Sequence, residues 1–96
     1  MTGRKLLPIT DRLGAGYPYE KIKNFLKNSS LIFANLEAPI VKKENMANLT
    51  KQGKDKAVHL YGLERDARAM SDAGFNIVSL ANNHILDYGQ YGLTQT

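Results

Sequence analysis

A cluster of polar side chains follows an apolar run near the end of the sequence. In "IVSLANNHILDYG", residues 77–89, Asn82, Asn83 and His84 come directly after the apolar residues, and Asp87 lies three positions further on. Amide and carboxylate oxygens suit Mn²⁺ or Mg²⁺, and imidazole extends the choice to Zn²⁺ or Fe. Histidine also transfers protons near neutral pH. The residue types therefore suggest metal binding, proton transfer, or both.

A second polar group follows the other strongly apolar run, Leu31 to Leu36. Asn35 lies at the end of this run, and Glu37 comes directly after it. Glu37 would add a hard carboxylate ligand to the amides of the first cluster. A second motif rich in carboxylates or histidines, needed to complete a metal cage, is missing. His59, the other histidine, is predicted to be structural or exposed.

Each of these residues also has a purely structural explanation. Asn82 or Asn83 could adopt a left-handed conformation that turns the chain out of a strand. Asp87 could cap a helix that begins near residue 88. His84 could be a half-buried histidine with satisfied hydrogen bonds, and Glu37 a solvated residue after a strand. The local pattern alone favours these structural explanations.

The hydrophobic periodicity predicts the elements that position the two clusters. Helices are expected at about 18–28 and 63–73, with Gly74 at the C′ position, and a third helix starts near Tyr88. Strands buried on both faces are expected at 31–36 and 76–81. Residues 1–18 are expected to lack regular structure because they contain two prolines and two glycines beyond Gly3. A brief extended segment is expected at 58–61.

The order strand, helix, strand predicts a parallel βαβ unit and an α/β fold. In open α/β sheets, ligands bind at the carboxyl ends of the strands. Both predicted strands end in polar groups, and both ends lie at one edge of a parallel sheet. This shared edge makes a binding site plausible.

Composition limits the classes of protein to consider. The chain has 96 residues, is 43% hydrophobic, carries a net charge of +4 and contains no cysteine. These values predict one small globular domain or part of one. No apolar run approaches the ~20 residues of a membrane span. The lysine-rich segment 42–56 is predicted to be a solvated loop. Because it lacks interleaved aromatics, nucleic-acid binding is not expected, although a polyanionic substrate could be attracted.

Two quoted motifs resemble those of a known family. "NLEAPI", residues 35–40, and "ANNHILDYG", residues 81–89, are similar to motifs of the bacterial capsule-synthesis proteins (CapA type), which include proteins of poly-γ-glutamate biosynthesis. The intervening helix and Gly74-Phe75 fit the same family. The likeness runs from about Tyr17 to Thr96. That family looks like a branch of the calcineurin-type metallophosphoesterases, so the resemblance implies a four-layer α/β/β/α sandwich with a two-metal site.

The resemblance also implies roles for individual residues. Glu37 takes the position of a bridging carboxylate ligand, Asn83 that of an asparagine ligand, and His84 that of the histidine that protonates the leaving group or stabilises the transition state. Supporting roles fall to Asn35, Asn82 and Asp87. The implied cofactors are divalent metal ions, two in the complete domain, from among Mn, Fe, Zn and Mg.

The chain departs from the family pattern at both ends. Met1-Thr2-Gly3-Arg4 looks like the tail of an opening Gly-Asp strand, and the late histidine motifs that complete the cage are absent. Residues 1–96 are therefore predicted to be an incomplete N-terminal part of a single metallophosphatase-like domain.

Three functions remain open. The first is a capsule or poly-γ-glutamate biosynthesis protein whose full-length form hydrolyses phosphoesters with metal ions. The second is a non-catalytic envelope protein that binds or helps export an anionic polymer. The third is a truncated chain without activity. The resemblance suggests a location in the bacterial cell envelope, outside the cytoplasm, and contact with membrane-associated biosynthesis machinery.

Overall fold

The computed structural model describes residues 6–52 and 57–96. Short helices and strands alternate along this part of the chain. The α-helices are α1 (Leu7–Leu13), α2 (Glu20–Leu26), α3 (Glu64–Asp72) and α4 (Gly89–Gln95), and 3₁₀ turns occur at Tyr17–Tyr19 and Lys43–Asn48. The strands are β1 (Phe33–Asn35), β2 (Ile40–Val41), β3 (Gly62–Leu63) and β4 (Ile77–Ser79). Within the described residues, no helix is long and apolar enough to cross a membrane.

Two small parallel sheets organise the chain. β1 pairs with β4, with Phe33 opposite Ile77 and Asn35 opposite Ser79. β2 pairs with β3, with Ile40 opposite Gly62. The predicted α/β class with parallel strands is confirmed. The β2–β3 sheet was not predicted, and the extended segment expected at 58–61 begins later, at Gly62.

Helix α3 connects the two sheets and ends as predicted. The carboxylate of Asp66 accepts a hydrogen bond of 2.8 Å from the backbone N–H of Leu63, which satisfies one of the free donors at the start of α3. At the other end Gly74 has φ 106°, the C′ conformation that glycine adopts without strain. A side chain at Gly74 would also approach the Ile32 side chain closely, at 3.2 Å. Gly74 therefore lets the chain turn tightly from α3 into β4.

The expectation that residues 1–18 lack regular structure is wrong for α1. Pro8 lies in the first turn of this helix, where its missing N–H leaves no hydrogen bond broken. Gly14, with φ 92°, ends the helix. The helix expected at 18–28 is shorter, at Glu20–Leu26. The lysine-rich segment contains the 3₁₀ turn Lys43–Asn48, and its residues 53–56 lie outside the described residues.

Within the described residues, β1 and β4 are not buried on both faces as the prediction has it. Phe33 on β1 is 61% exposed, and Ile77 and Val78 on β4 are 44% and 39% exposed. The core lies instead around β2, where Val41 is fully buried. This difference arises because α3 and α4 pack against the β2–β3 sheet. The apolar face of Phe33 and Ile77 is left open within the described part of the chain.

Candidate functional site

The two polar clusters lie at one edge of the β1–β4 sheet. Asn35 and Ser79 are partners in the last register position of this pair. The backbone N–H of Leu36 donates to the carbonyl oxygen of Ser79 at 3.0 Å, which extends the pairing by one hydrogen bond. Because the strands are parallel, the chain leaves both of them at the same edge. The expected meeting of the two strand ends is therefore observed.

Asn82 joins the two clusters directly. Its side-chain Nδ2 donates to Oδ1 of Asn35 at 3.1 Å and to the carbonyl oxygen of Leu36 at 2.9 Å. Its Oδ1 accepts a hydrogen bond of 3.0 Å from the backbone N–H of His84. The amide thus uses both of its N–H groups on the first motif and its oxygen on the second. It fixes the position of the His84 backbone relative to the end of β1.

His84 and Asp87 form a pair in which the carboxylate is completely buried. Nδ1 of His84 lies 2.8 Å from Oδ2 of Asp87, and the two side chains are 14% and 0% exposed. A carboxylate oxygen accepts, so Nδ1 carries the hydrogen in this pair. The remaining ring nitrogen, Nε2, is then the one available for proton transfer. The alternative in which Asp87 caps helix α4 is wrong, because the cap position belongs to Tyr88 and no side chain bonds there.

Asp87 also holds a neighbouring segment that the sequence does not reveal as part of the site. Its Oδ2 accepts a hydrogen bond of 2.6 Å from the backbone N–H of Leu60. Its carbonyl oxygen accepts another from the N–H of Gln52 at 2.9 Å. A hydrogen bond from a backbone N–H leaves no mark in the side-chain sequence. The spacing of His84 and Asp87 by three residues was the available signal for their contact.

An aromatic cluster packs beside this pair. The ring of Tyr88 packs in edge-to-face geometry with the rings of His59 and Tyr61, at centroid distances of 6.3 Å and 6.0 Å. Burial raises the pKa of the Tyr88 hydroxyl, and Tyr61 and Asp87 nearby raise it further. His59 is half-buried, and its Nε2 is hydrogen-bonded to the carbonyl oxygen of Gln52.

The two residues expected to bind metal flank the bond between the clusters. Glu37 directly follows Leu36, whose carbonyl accepts from Asn82, and Asn83 directly follows Asn82. Glu37 is half-buried and Asn83 is exposed. Among residues 6–52 and 57–96, no group of three histidine, cysteine, aspartate or glutamate residues is arranged to hold a metal ion. The described residues could supply a carboxylate and an amide oxygen, which is part of a ligand set.

The whole sequence is similar to proteins of one known family. Residues 1–96 match the family described as bacterial capsule synthesis protein PGA_cap. A Bacillus anthracis protein named "Capsule biosynthesis protein CapA" is 38% identical over 96 residues, which are 100% of this chain and 23% of that protein. A Bacillus subtilis (strain 168) protein named "PGA biosynthesis protein CapA" is 29% identical over 96 residues, 24% of its length. No solved structure shows a significant match.

The chain thus spans about a quarter of the length of the curated relatives it matches. The match includes both motifs and the helix between them, because it runs without interruption from the first residue to the last. The chain therefore belongs to the bacterial capsule synthesis protein family.

Proposed function

We propose that the full-length protein acts in capsule or poly-γ-glutamate biosynthesis and hydrolyses a phosphoester at this edge of the β1–β4 sheet. The names of the two relatives support the biosynthetic role. The observation that carries the chemistry is the buried Asp87 carboxylate bonded to His84. A fully buried carboxylate on a partly exposed imidazole is an arrangement typical of proton transfer.

His84 would act as the general acid. With Nδ1–H donated to Asp87, a protonated imidazole carries its transferable proton on Nε2. A water oxygen bonds to phosphorus and releases a proton to solvent as the bond between phosphorus and the leaving oxygen breaks. The leaving oxygen takes the proton from Nε2, and His84 becomes neutral. Acid catalysis of this kind contributes about 10²–10⁴-fold to a rate.

Glu37 and Asn83 would provide oxygen ligands to metal ions. Carboxylate and amide oxygens fit Mn²⁺ and Mg²⁺, and inclusion of imidazole would also allow Zn²⁺ or Fe. When bound, two divalent ions supply Lewis-acid activation of water and neutralise charge on the phosphoryl oxygens. The remaining ligands would come from other parts of the full-length protein, since the described residues hold only part of a set.

The open face of the β1–β4 sheet supports the four-layer sandwich as the complete fold. Phe33 and Ile77 are opposite each other in the register and both are exposed. Large apolar side chains side by side on one face of a sheet normally pack against another layer. In the full-length protein, a second sheet would cover them.

The test is hydrolysis of phosphodiesters and phosphomonoesters by the full-length protein with Mn²⁺. Glu37→Ala and His84→Ala should each lower kcat/KM by about 10²-fold or more. Chelation of the metal should abolish activity, and added Mn²⁺ should restore it. Glu64→Ala, at an exposed position on α3, is the matched control and should retain full activity. Unchanged activity in both Glu37→Ala and His84→Ala would reject the mechanism.

A second candidate function is binding of an anionic polymer by a non-catalytic envelope protein, in contact with membrane-associated biosynthesis machinery. The observation that favours it is the exposure of Lys42, Lys43 and Lys51 in the same lysine-rich segment. Replacing these three lysines by glutamine should weaken binding of poly-γ-glutamate, whereas metal removal should not. Replacing the exposed lysines of the α2 region, Lys21, Lys23 and Lys27, is the charge-matched control. Equal losses in the two triple variants would contradict a specific role for the segment.

A further inference from the structure

The side chain of His59 forms a hydrogen bond to the backbone beside the candidate site. Its Nε2 lies 2.6 Å from the carbonyl oxygen of Gln52, seven residues earlier. A carbonyl oxygen can only accept, so Nε2 of His59 carries the hydrogen. This hydrogen bond joins the side chain of His59 to the backbone of Gln52. Neither residue belongs to the two motifs that define the candidate site.

Two backbone N–H groups next to this hydrogen bond are donated to Asp87. The backbone N–H of Gln52 donates to the carbonyl oxygen of Asp87, and the N–H of Leu60, next to His59, donates to its Oδ2. We name Gln52, His59, Leu60 and Asp87 the loop base. Asp87 thus receives hydrogen bonds from Gln52 and from Leu60, the residue after His59. The same Oδ2 atom also accepts from His84.

The loop base is packed as well as hydrogen-bonded. Leu60 and Asp87 are buried, with 2% and 1% of their surfaces exposed. Leu60 lies between His59 and Tyr61 in the sequence. The rings of these two neighbours both pack in edge-to-face geometry with Tyr88. Tyr88 directly follows Asp87, so the aromatic contacts and the hydrogen bonds hold the same two segments together. A shift of residues 59–61 would therefore move a donor away from the Asp87 carboxylate.

We propose that His59 is a positioning residue for His84. By closing the loop base it keeps the Leu60 N–H on the Asp87 carboxylate, and the carboxylate so fixed holds the His84 ring with Nδ1 protonated. The kinetic part of this inference rests on the proposed function, but the structural part does not. Small misplacements of a catalytic group cost up to ~10²-fold in rate. A loosened loop base should therefore lower the rate by a measurable factor.

The experiment uses the full-length protein labelled uniformly with ¹⁵N. His59→Phe keeps a ring against Tyr88 but removes the donor to Gln52, whereas His59→Gln keeps an N–H donor. Lys27→Gln, an exposed change after α2, is the control. We expect His59→Phe to weaken the His84 Nδ1–H signal and to speed amide exchange at Leu60 by at least about tenfold. The same variant should lower kcat about tenfold and leave KM within about twofold of the wild type. His59→Gln should recover part of each effect.

Unchanged His84 signals and Leu60 exchange in His59→Phe would overturn the inference, whatever the activity. A wild-type protein without hydrolytic activity would instead reject the proposed function, and the two spectroscopic readouts would still decide the role of His59. If His59→Phe fails to fold, amide exchange in the wild type decides. The amides of Gln52 and Leu60 should then show equal opening free energies, as a cooperative unit requires. Protection factors that differ by about 100-fold or more would contradict a single loop base.

Discussion

The side chain of Asn82 lies 3.1 Å from that of Asn35, although the two residues are 47 positions apart in the sequence. This contact joins the motif after β1 to the motif after β4. The Asn82 amide also binds the Leu36 carbonyl and the His84 backbone N–H. A single asparagine side chain therefore links the two halves of the candidate site beyond the strand pairing.

Replacing Asn82 by aspartate should separate the two motifs. The carboxylate has no N–H groups, so the hydrogen bonds to Asn35 and Leu36 are lost. The carboxylate oxygens then lie against the oxygens of Asn35 and Leu36 and are repelled by them. We expect the free energy of unfolding to fall by about 1–3 kcal/mol, measured by urea denaturation of the full-length protein. Asn24→Asp makes the same chemical change at an exposed position on α2 and should have little effect. A similar loss in both variants would argue against a joining role.

Replacing Asp87 by asparagine should weaken the hydrogen bond that orients His84. Oδ2 of Asp87 accepts from both the Leu60 N–H and Nδ1 of His84, and an amide oxygen in its place can accept both bonds but carries no charge. Because a neutral acceptor holds the ring less firmly than a carboxylate, we expect kcat for phosphoester hydrolysis to fall about 10²-fold with a small change in KM. Asp72→Asn, exposed at the end of α3, is the control. Full activity of Asp87→Asn would contradict the assignment.

Phe33 tests whether another layer covers the β1–β4 sheet. If a second sheet packs on this face in the full-length protein, Phe33→Ala should lower the free energy of unfolding by about 3–5 kcal/mol, as for a buried aromatic. Lys21→Ala, at an exposed polar position, should change it by less than about 0.5 kcal/mol. An equally small effect of Phe33→Ala would show that the face stays open to solvent, and the sandwich would have to be abandoned.

Tyr88 should make the fold sensitive to alkaline pH. Its pKa is raised in the folded protein, so the folded state retains the phenolic proton more tightly than the unfolded chain. The stabilisation is complete below the ordinary value of 10.0 and is lost as the pH rises through the folded pKa. Denaturation series from pH 9 to about 11.5 should show a shallower decline for Tyr88→Phe than for the wild type. Tyr91→Phe, exposed on α4, should follow the wild type.

The sequence predicted the position of the candidate site better than its internal contacts. Two apolar runs ending in polar residues indicated parallel strands, and parallel strands bring their carboxyl ends to one edge. The contact of Asn35 with Asn82 follows from that topology. The Leu60 N–H on Asp87 does not, because any residue other than proline could supply it.

The exposed faces and the second sheet were missed for different physical reasons. An apolar run such as that around Phe33 shows that a surface needs cover, but periodicity carries no information on which part of a protein covers it. Strands β2 and β3 contain two residues each, too few for a period of two to be detected. In α1, Pro8 lies in the first turn, where a proline costs no hydrogen bond, so its presence in the sequence does not exclude a helix.

The parallel pairing of β1 with β4 also sets the order in which the chain can fold. The hydrogen bond between Ile32 and Asn76, just before the paired residues, spans 44 positions. These two residues must therefore be brought together, at a cost in chain entropy, before the bond can stabilise the fold. Helices form in about a microsecond, whereas contacts between distant residues form late and slow the reaction. Asn35 and Glu37 leave the ribosome well before Asn82 and His84, and no site exists until β4 docks. The hydrogen bond of Asn82 to Asn35 is thus a marker of completed folding in this region.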